Sequence, residues 1–375
     1  MNEDKASRYH RLKRRASIIA LMWSVALLVL LIATGGSAAL RDFAEQVANR
    51  VASPGWHRAL TICVYVVLLS AANELGGLPL AFYSGFLLER RYELSTEKLS
   101  SWLWDQAKAF AIGLVLAGSG VELIYWLISR SPDGWWLPAG FIFALLIIGL
   151  TNLAPVLLLP LFYSIKPLGR AALEARLLSI AHRAGARVIG AYEWVVADKT
   201  RRANAALAGI GATRRILVSD TMLARYSDEE IEVVLAHEMA HHVHGDIWKG
   251  IVFQSGLILS GFYLAAQLLR RLSGSFGVRS VDDVAGLPLL VLAAGAVSLV
   301  MMPVAHAMSR AYERRADRFA LDLTQNPSAF VSAMRRLAAQ NLAEDNPSRI
   351  VRWLFYSHPS SQERIAAAES FKITR

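Results

Sequence analysis

The sequence predicts a mostly α-helical, polytopic membrane protein of about six transmembrane helices, with a helical domain carrying a small β-sheet set among the spans. Three observations predict it. Hydrophobic residues make up 54% of the 375 and charged residues only 19%, a balance rare in soluble domains and ordinary in multi-span membrane proteins. The apolar residues gather into six runs of about 20 residues or more, the length a helix needs to cross hydrocarbon. Between the fourth and fifth runs the charges return, and the pattern becomes that of a folded polar segment.

The first run, "SIIALMWSVALLVLLIATGG", follows Arg8, Arg11, Lys13, Arg14 and Arg15. It resembles a signal peptide, with "GSA" at 36–38 as a cleavage site, but its core exceeds the roughly 7–15 residues of a signal h-region. An uncleaved anchor helix is expected. Further runs cover 59–88, 109–128 and 135–163, and the first and last of these are long enough to tilt or to outlast the bilayer. From 165 to 247, "EARLLSIAHRAGARV" has helical spacing, while "YEWVVAD" and "RRILVSD" read as short strands enclosing "RRANAALAGIGA". "SDEEIEVVLAHEMAHHVHGD" opens on a capping residue, Ser227 or Asp228, has acids in its first turn and then runs apolar at helical period. Apolar runs at 251–269 and 285–305 follow, and the tail from 307 is charged and helical in pattern. The expected organisation is a membrane region at 1–164 with four spans and a cytoplasmic loop at 89–108. A soluble segment at 165–250, two more spans at 251–305 and C-terminal helices at 306–375 complete it.

Four spans before the soluble segment and two after it put both termini and that segment on one side. The basic N-terminus, the 89–108 loop and the arginine-rich insert lie on that side, which the positive-inside rule makes cytoplasmic. The net charge of +10 is read as cations flanking spans, not as a nucleic-acid surface. Cys63 is the only cysteine, so neither an internal disulfide nor a cysteine metal cluster is possible.

His237-Glu238-Met239-Ala240-His241 is an HExxH motif on a predicted helix. Residues four apart share a helix face, so both imidazoles can reach one ion, and Glu238 is placed to take a proton from water activated there. Zinc is the expected ion, in a zincin-type helical catalytic domain; it lowers the pKa of its water towards about 7. Such a site needs a third protein ligand. His242, His244 and Asp246 are local candidates. His242 lies about 100° round the helix from His241, and His244 is roughly 10 Å along the axis from His237, so both are expected to stand apart. In "MSRAYERRADRFALDL", Glu313 and Asp317 share a face and could supply a third ligand and a carboxylate for the free N–H of a ligand histidine. Exposed helices often carry Glu, Arg and Asp at such spacing, so the pattern by itself leaves this open.

"AHEMAHHVHGD" followed by "SRAYERRAD" resembles the membrane metalloendopeptidases that include CAAX prenyl protease 1 and the HtpX-type quality-control proteases. "GFLLERRYELSTEKLSSWLWDQAKAF" (with Glu89, Asp105 and Lys108), "PLFYSIKPL", "RRANAALAGIGATRRILVSDTML" and "YSHPSSQERIAA" extend the likeness over roughly residues 60 to 370. The resemblance implies His237, His241 and Glu313 as zinc ligands, Glu238 as catalytic base and Asp317 as the carboxylate behind a ligand. It implies His358 and Arg364 as oxyanion donors, and Asn204 and Ala205 on an edge strand that binds the substrate main chain. Two departures stand out. Glu93 occupies a position where the CAAX type has glycine, and the motif helix ends in Gly245-Asp246 as in HtpX-type members. They leave the protease reading in place and put prenylated substrates in doubt.

The expected function is therefore an integral-membrane zinc endopeptidase acting on membrane-associated or misfolded proteins or peptides. A CAAX-type processing protease and a non-proteolytic membrane chaperone of the same fold are the alternatives. A transporter is disfavoured because the motif lies in the soluble insert rather than at a midplane site. Asn73, Glu74 and Glu122 lie inside apolar runs, where ionisable groups face an interior or water; the resemblance implies a water-filled chamber for them to line, and pairing near the interface is the alternative.

Overall fold

The apolar runs form helices that outlast them. The computed structural model describes residues 4–209 and 214–372. Helices α1 (Lys5–Ala33), α2 (Gly36–Val51) and α3 (His57–Phe82) come first. A π-helical turn, Tyr83–Leu87, leads into α4 (Leu88–Arg91), followed by α5 (Leu99–Arg130), α6 (Trp136–Leu157) and α7 (Leu159–Phe162). Then come β1 (Ser164–Pro167), α8 (Ala171–Arg183), β2 (Ala191–Val195), β3 (Ala205–Ala208), β4 (Arg215–Ser219), α9 (Asp220–Leu223) and α10 (Asp228–Val243). The long helices α11 (Asp246–Leu272) and α12 (Leu287–Thr324) re-enter the bundle, and α13 (Pro327–Gln340), α14 (Arg349–Phe355) and α15 (Ser361–Glu369) complete the chain. Among the described residues six stretches are long and apolar enough to cross a membrane: Lys5–Ala33, Pro54–Arg91, Leu99–Arg130, Trp136–Leu153, Asp246–Leu272 and Val284–Thr324.

The element that positions the site is α12. At 38 residues it is about 57 Å long by the 1.5 Å rise per residue, nearly twice the hydrocarbon thickness. Its first half is apolar and its second half carries Glu313 and Asp317. One continuous helix thus joins the last span to the polar domain, running straight through position 305.

The sheet has the order β1-β2-β4-β3, with β2 and β4 parallel and both outer pairs antiparallel. Strand β3 is therefore an edge strand. It begins at Ala205, and Asn204 extends its ladder by one residue, accepting from Ser219 N at 2.9 Å while donating to Ser219 Oγ at 2.9 Å. Leu173, Leu177, Ile216, Val218, Ile231, Leu235 and Phe330 form the core between the sheet, α8, α10 and α13.

Glu93 sits at φ 61°, in the left-handed region that glycine enters freely and that costs other residues about 1–2 kcal/mol. That accounts for the glycine expected at this position. Nearby, Glu89 accepts from Tyr9 Oη (2.5 Å), Lys13 Nζ (2.5 Å) and Arg202 Nη2 (2.9 Å), tying α1 and α4 to the approach of β3. Asn73 is paired inside the bundle: its side-chain oxygen accepts from Ser24 Oγ at 2.8 Å. Glu122 lines a groove between α3 and α5.

Helix α2 lies outside the expected spans, and it matters. Its Arg41 is buried, pairs with buried Asp283 and donates to Gly277 O at 3.0 Å. Asp283 also accepts from Arg279 N (2.8 Å) and Ala285 N (3.0 Å), so one carboxylate gathers the loop before α12. Asp283→Ala would take away the buried partner of Arg41 and the acceptor of two loop N–H groups, leaving Arg41 only the more exposed Asp42 and Glu45, and is expected to destabilise the protein by about 1–3 kcal/mol. Thermal unfolding of the purified variant in detergent measures this, and an unchanged midpoint would refute it.

Candidate active site

Helix α10 begins at Ser227, whose Oγ accepts from Glu230 N (3.3 Å) while Ser227 N donates to Glu230 Oε2 (2.8 Å). This reciprocal cap and the acids of the first turn suit the positive end of the helix dipole. Ile231, Val233, Leu235, Ala236, Met239 and Ala240 are buried, so packing on several sides fixes the helix and the direction of its histidines.

His237 and His241 face α12. His237 Nε2 lies 3.2 Å from Glu313 Oε2, and His241 Nε2 lies 3.4 Å from Glu313 Oε1. One ligand atom from each of the three residues lies within 4.8 Å of the others, a grouping able to hold a metal ion. Each imidazole is turned by its own carboxylate. His237 Nδ1 is 2.8 Å from Asp317 Oδ1, and His241 Nδ1 is 3.1 Å from Asp246 Oδ2. With Nδ1 held as donor, each Nε2 is left facing Glu313, where it can give a proton to the carboxylate or, deprotonated, a lone pair to a metal. Behind the carboxylates stand two arginines: Arg364 Nε and Nη2 donate to the two Asp317 oxygens at 2.9 and 2.5 Å, and Arg315 pairs with Asp246.

The donor set fits a metal. Glu313 Oε2 is buried and, though 3.2 Å from His237 Nε2, makes no aligned hydrogen bond among the described residues, an arrangement that a cation between the two groups would relieve. Burial opposes charge on His237, but the Asp317 and Glu313 carboxylates outweigh it and raise its pKa to about 9. Burial likewise opposes charge on His241, and the Glu313 carboxylate turns its shift upward. Glu238 projects beside this cluster into a cleft of about 480 Å³. Burial holds its carboxyl above the usual carboxylate range, against the pull of the two histidines.

His358 and Arg364 also line the cleft, with Asn204 and Ala205 on its far wall. His358 Nε2 is 3.2 Å from Glu313 Oε1 and the side chain is largely exposed. Arg364 Nη2 is 3.2 Å from His237 Nδ1. His242 and His244 stand apart from the cluster. His242 Nε2 contacts Leu207 O at 3.2 Å and His244 Nδ1 contacts Ala240 O at 2.9 Å. Burial and the nearby Arg214 lower the His242 pKa to about 4, so it is neutral at pH 7 and can donate to that carbonyl.

Two residues acquire roles that spacing did not reveal. Asp246 comes five residues after His241, off any helical repeat, because α10 ends and Gly245 at φ 65° turns the chain. Asn341 reaches the edge strand: its Oδ1 accepts from Ala203 N (3.1 Å) and its Nδ2 donates to Ala203 O (3.2 Å). Alternate residues of β3 face outward, so Ala203, Ala205 and Leu207 share the open edge. Asn341 closes it at Ala203 and His242 closes it at Leu207. Ala205 between them keeps its N–H and C=O turned to the cleft.

Residues 167–372 match the sequence model of Peptidase family M48, and residues 2–164 match that described as CAAX prenyl protease N-terminal, five membrane helices. The chain belongs to peptidase family M48. This peptidase is 34% identical over 316 residues to the "Uncharacterized metalloprotease YhfN" of Bacillus subtilis, covering 83% of this chain and 74% of that one. It is 25% identical over 387 residues to CAAX prenyl protease 1 of Saccharomyces cerevisiae, covering 97% and 85%. The crystal structure of S. mikatae Ste24p has the same fold, with a TM-score of 0.83 at 24% identity over 97% of this chain and 87% of that one. The peptidase is thus a multi-pass membrane metalloendopeptidase.

A metal held by these imidazoles must displace the His237 proton and, at lower pH, that of His241, so metal affinity is expected to fall at least tenfold per pH unit below about 9. Chelator competition at several pH values measures the slope; a flat profile would contradict it. Asp246→Ala frees the His241 ring and is expected to weaken metal binding about 10–100-fold, read by the same competition.

Proposed function

We propose that His237, His241 and Glu313 bind zinc and that the peptidase cleaves membrane-associated or misfolded proteins and peptides on the cytoplasmic side. The observation that carries this reading is the convergence of two imidazoles, the half-orphaned Glu313 carboxylate and the adjacent Glu238 on one open cleft. Zinc bound there supplies a Lewis acid for carbonyl and water. Glu238 takes the proton of the attacking water and passes it to the leaving amine, so the new C–O bond forms and the C–N bond breaks with no net change at the carboxylate. Its raised proton affinity suits both halves of that transfer. Ala205 N–H and C=O hold the peptide extended by strand addition, with Asn204 at the start of the same edge. His358 and Arg364 stabilise the oxyanion, Arg364 being held in place by Asp317. The cytoplasmic placement rests on the basic residues that flank the spans on the domain's side.

The yeast relative's name brings prenylated tails into view as a competing substrate class. Parallel assays on a plain peptide and its prenylated form separate the two. Glu238→Gln is expected to lower cleavage by about 10²–10⁴-fold while zinc, measured by elemental analysis, stays bound. Turnover that survives this substitution would sink the mechanism. Ala205→Pro removes one main-chain donor from the free edge and is expected to cost about tenfold in kcat/KM with metal content unchanged.

A further inference from the structure

The apolar half of α12 ends at Met308, and Arg310 and Arg314 follow one turn apart. Helix α14 packs against that stretch and adds Arg349 and Arg352. The four arginines, with Ile350 and Trp353, line a cavity of about 480 Å³ distinct from the catalytic cleft, and Arg352 borders both. Among the described residues Glu363 is the one carboxylate in its wall, and it pairs with Arg352. Arg310 donates to Tyr356 O (2.6 Å) and Arg352 O (3.3 Å), which leaves its charge unbalanced. Arg314 and Arg349 are exposed, with no ion pair or hydrogen bond among the described residues. Four guanidinium groups against one carboxylate leave three positive charges around one cavity. Nothing in the metal site accounts for them.

Two features identify the anion. Guanidinium forks match phosphate oxygens, and several converging forks hold a phosphate better than a single carboxylate. Ile350 and Trp353 are 71% and 54% exposed beside the cavity, and the helix that carries Arg310 has just left an apolar span. Unpartnered cations beside an exposed tryptophan and isoleucine at the end of a span suit the membrane interface, where acidic headgroups supply phosphate and acyl chains receive the apolar side chains. A soluble phosphate would leave Ile350 and Trp353 in water.

We propose that this pocket binds the headgroup phosphate of an anionic phospholipid, with Trp353 and Ile350 seated in the interface. Because Arg310 already holds the carbonyls of Arg352 and Tyr356, a bound lipid draws the 349–356 segment onto α12 and steadies His358 two residues on. The lipid is then a structural ligand of the wall that carries one side of the cleft.

The test is lipid retention by the purified full chain in detergent, followed by native mass spectrometry with phosphatidylglycerol and phosphatidylcholine as probes. Arg314→Glu with Arg349→Glu is expected to weaken phosphatidylglycerol binding about tenfold or more and to leave phosphatidylcholine unchanged. The milder pair Arg314→Gln and Arg349→Gln should give an intermediate loss, and serves if the charge-reversed protein fails to fold. Lys166→Glu with Arg187→Glu, at exposed positions in the polar domain, makes the same change in net charge and should have no effect. Equal losses in that control, no loss in the glutamine pair, or displacement of phosphatidylglycerol by inorganic phosphate mole for mole would each overturn the proposal.

Discussion

Glu313 must meet His237 and His241 although a pair of long apolar helices separates them in the chain, and the rest of the polar domain is arranged around that meeting. A carboxylate buried with one oxygen unpartnered costs several kcal/mol unless positive charge sits beside it. The protein meets the demand in layers. Protonated His237 answers it in the metal-free site, a metal answers it in the loaded one, and Arg364 and Arg315 balance the two carboxylates that aim the imidazoles. Position comes from α12, which is continuous from the apolar half, through Pro303, to Glu313 and Asp317 and so ties the polar end to its span.

The same economy governs the cleft's far wall. An edge strand is a template for any extended chain, and two side chains restrict it here: Asn341 at Ala203 and His242 at Leu207. What remains open is the length of main chain facing the metal site. Just upstream of that edge, Arg202 shares Glu89 with Tyr9 and Lys13 of α1. Arg14 of α1 in turn reaches Glu344 at 2.5 Å, beyond α13. The N-terminal helix, expected as an anchor, is therefore also a strut that holds both sides of the cleft.

Much of this was legible from one-dimensional patterns, for physical reasons. Six runs of sufficient length announce six candidate spans because the bilayer sets a minimum helix length. His237 and His241 announce a shared site because helical period puts residues four apart on one face. Other parts carried no such signal. Helix α2 is short and amphipathic, with a buried arginine that reads as surface until Asp283 is found across the bundle. Strand β3 is the run Ala-Ala-Leu-Ala, without the alternation that marks a half-buried strand, and β1 is four residues ending in proline. Asp246 was legible only as a candidate ligand, and its pairing with the far nitrogen of His241 was hidden by the turn at Gly245, since no periodicity crosses a helix break.

The sequence by itself determined which chemistry was available: a helix presenting two imidazoles and a carboxylate, a second helix presenting two more carboxylates, and apolar runs long enough to cross a membrane. Only the tertiary structure decided which of those groups meet. It selected Glu313 to face both histidines, matched Asp317 to one imidazole and Asp246 to the other, and placed Arg364 behind Asp317. Local pattern reaches a few turns along one helix, whereas Asp317 and His237 pair although they stand 80 positions apart. Such pairings are set by how the long helices pack, and no local periodicity encodes that.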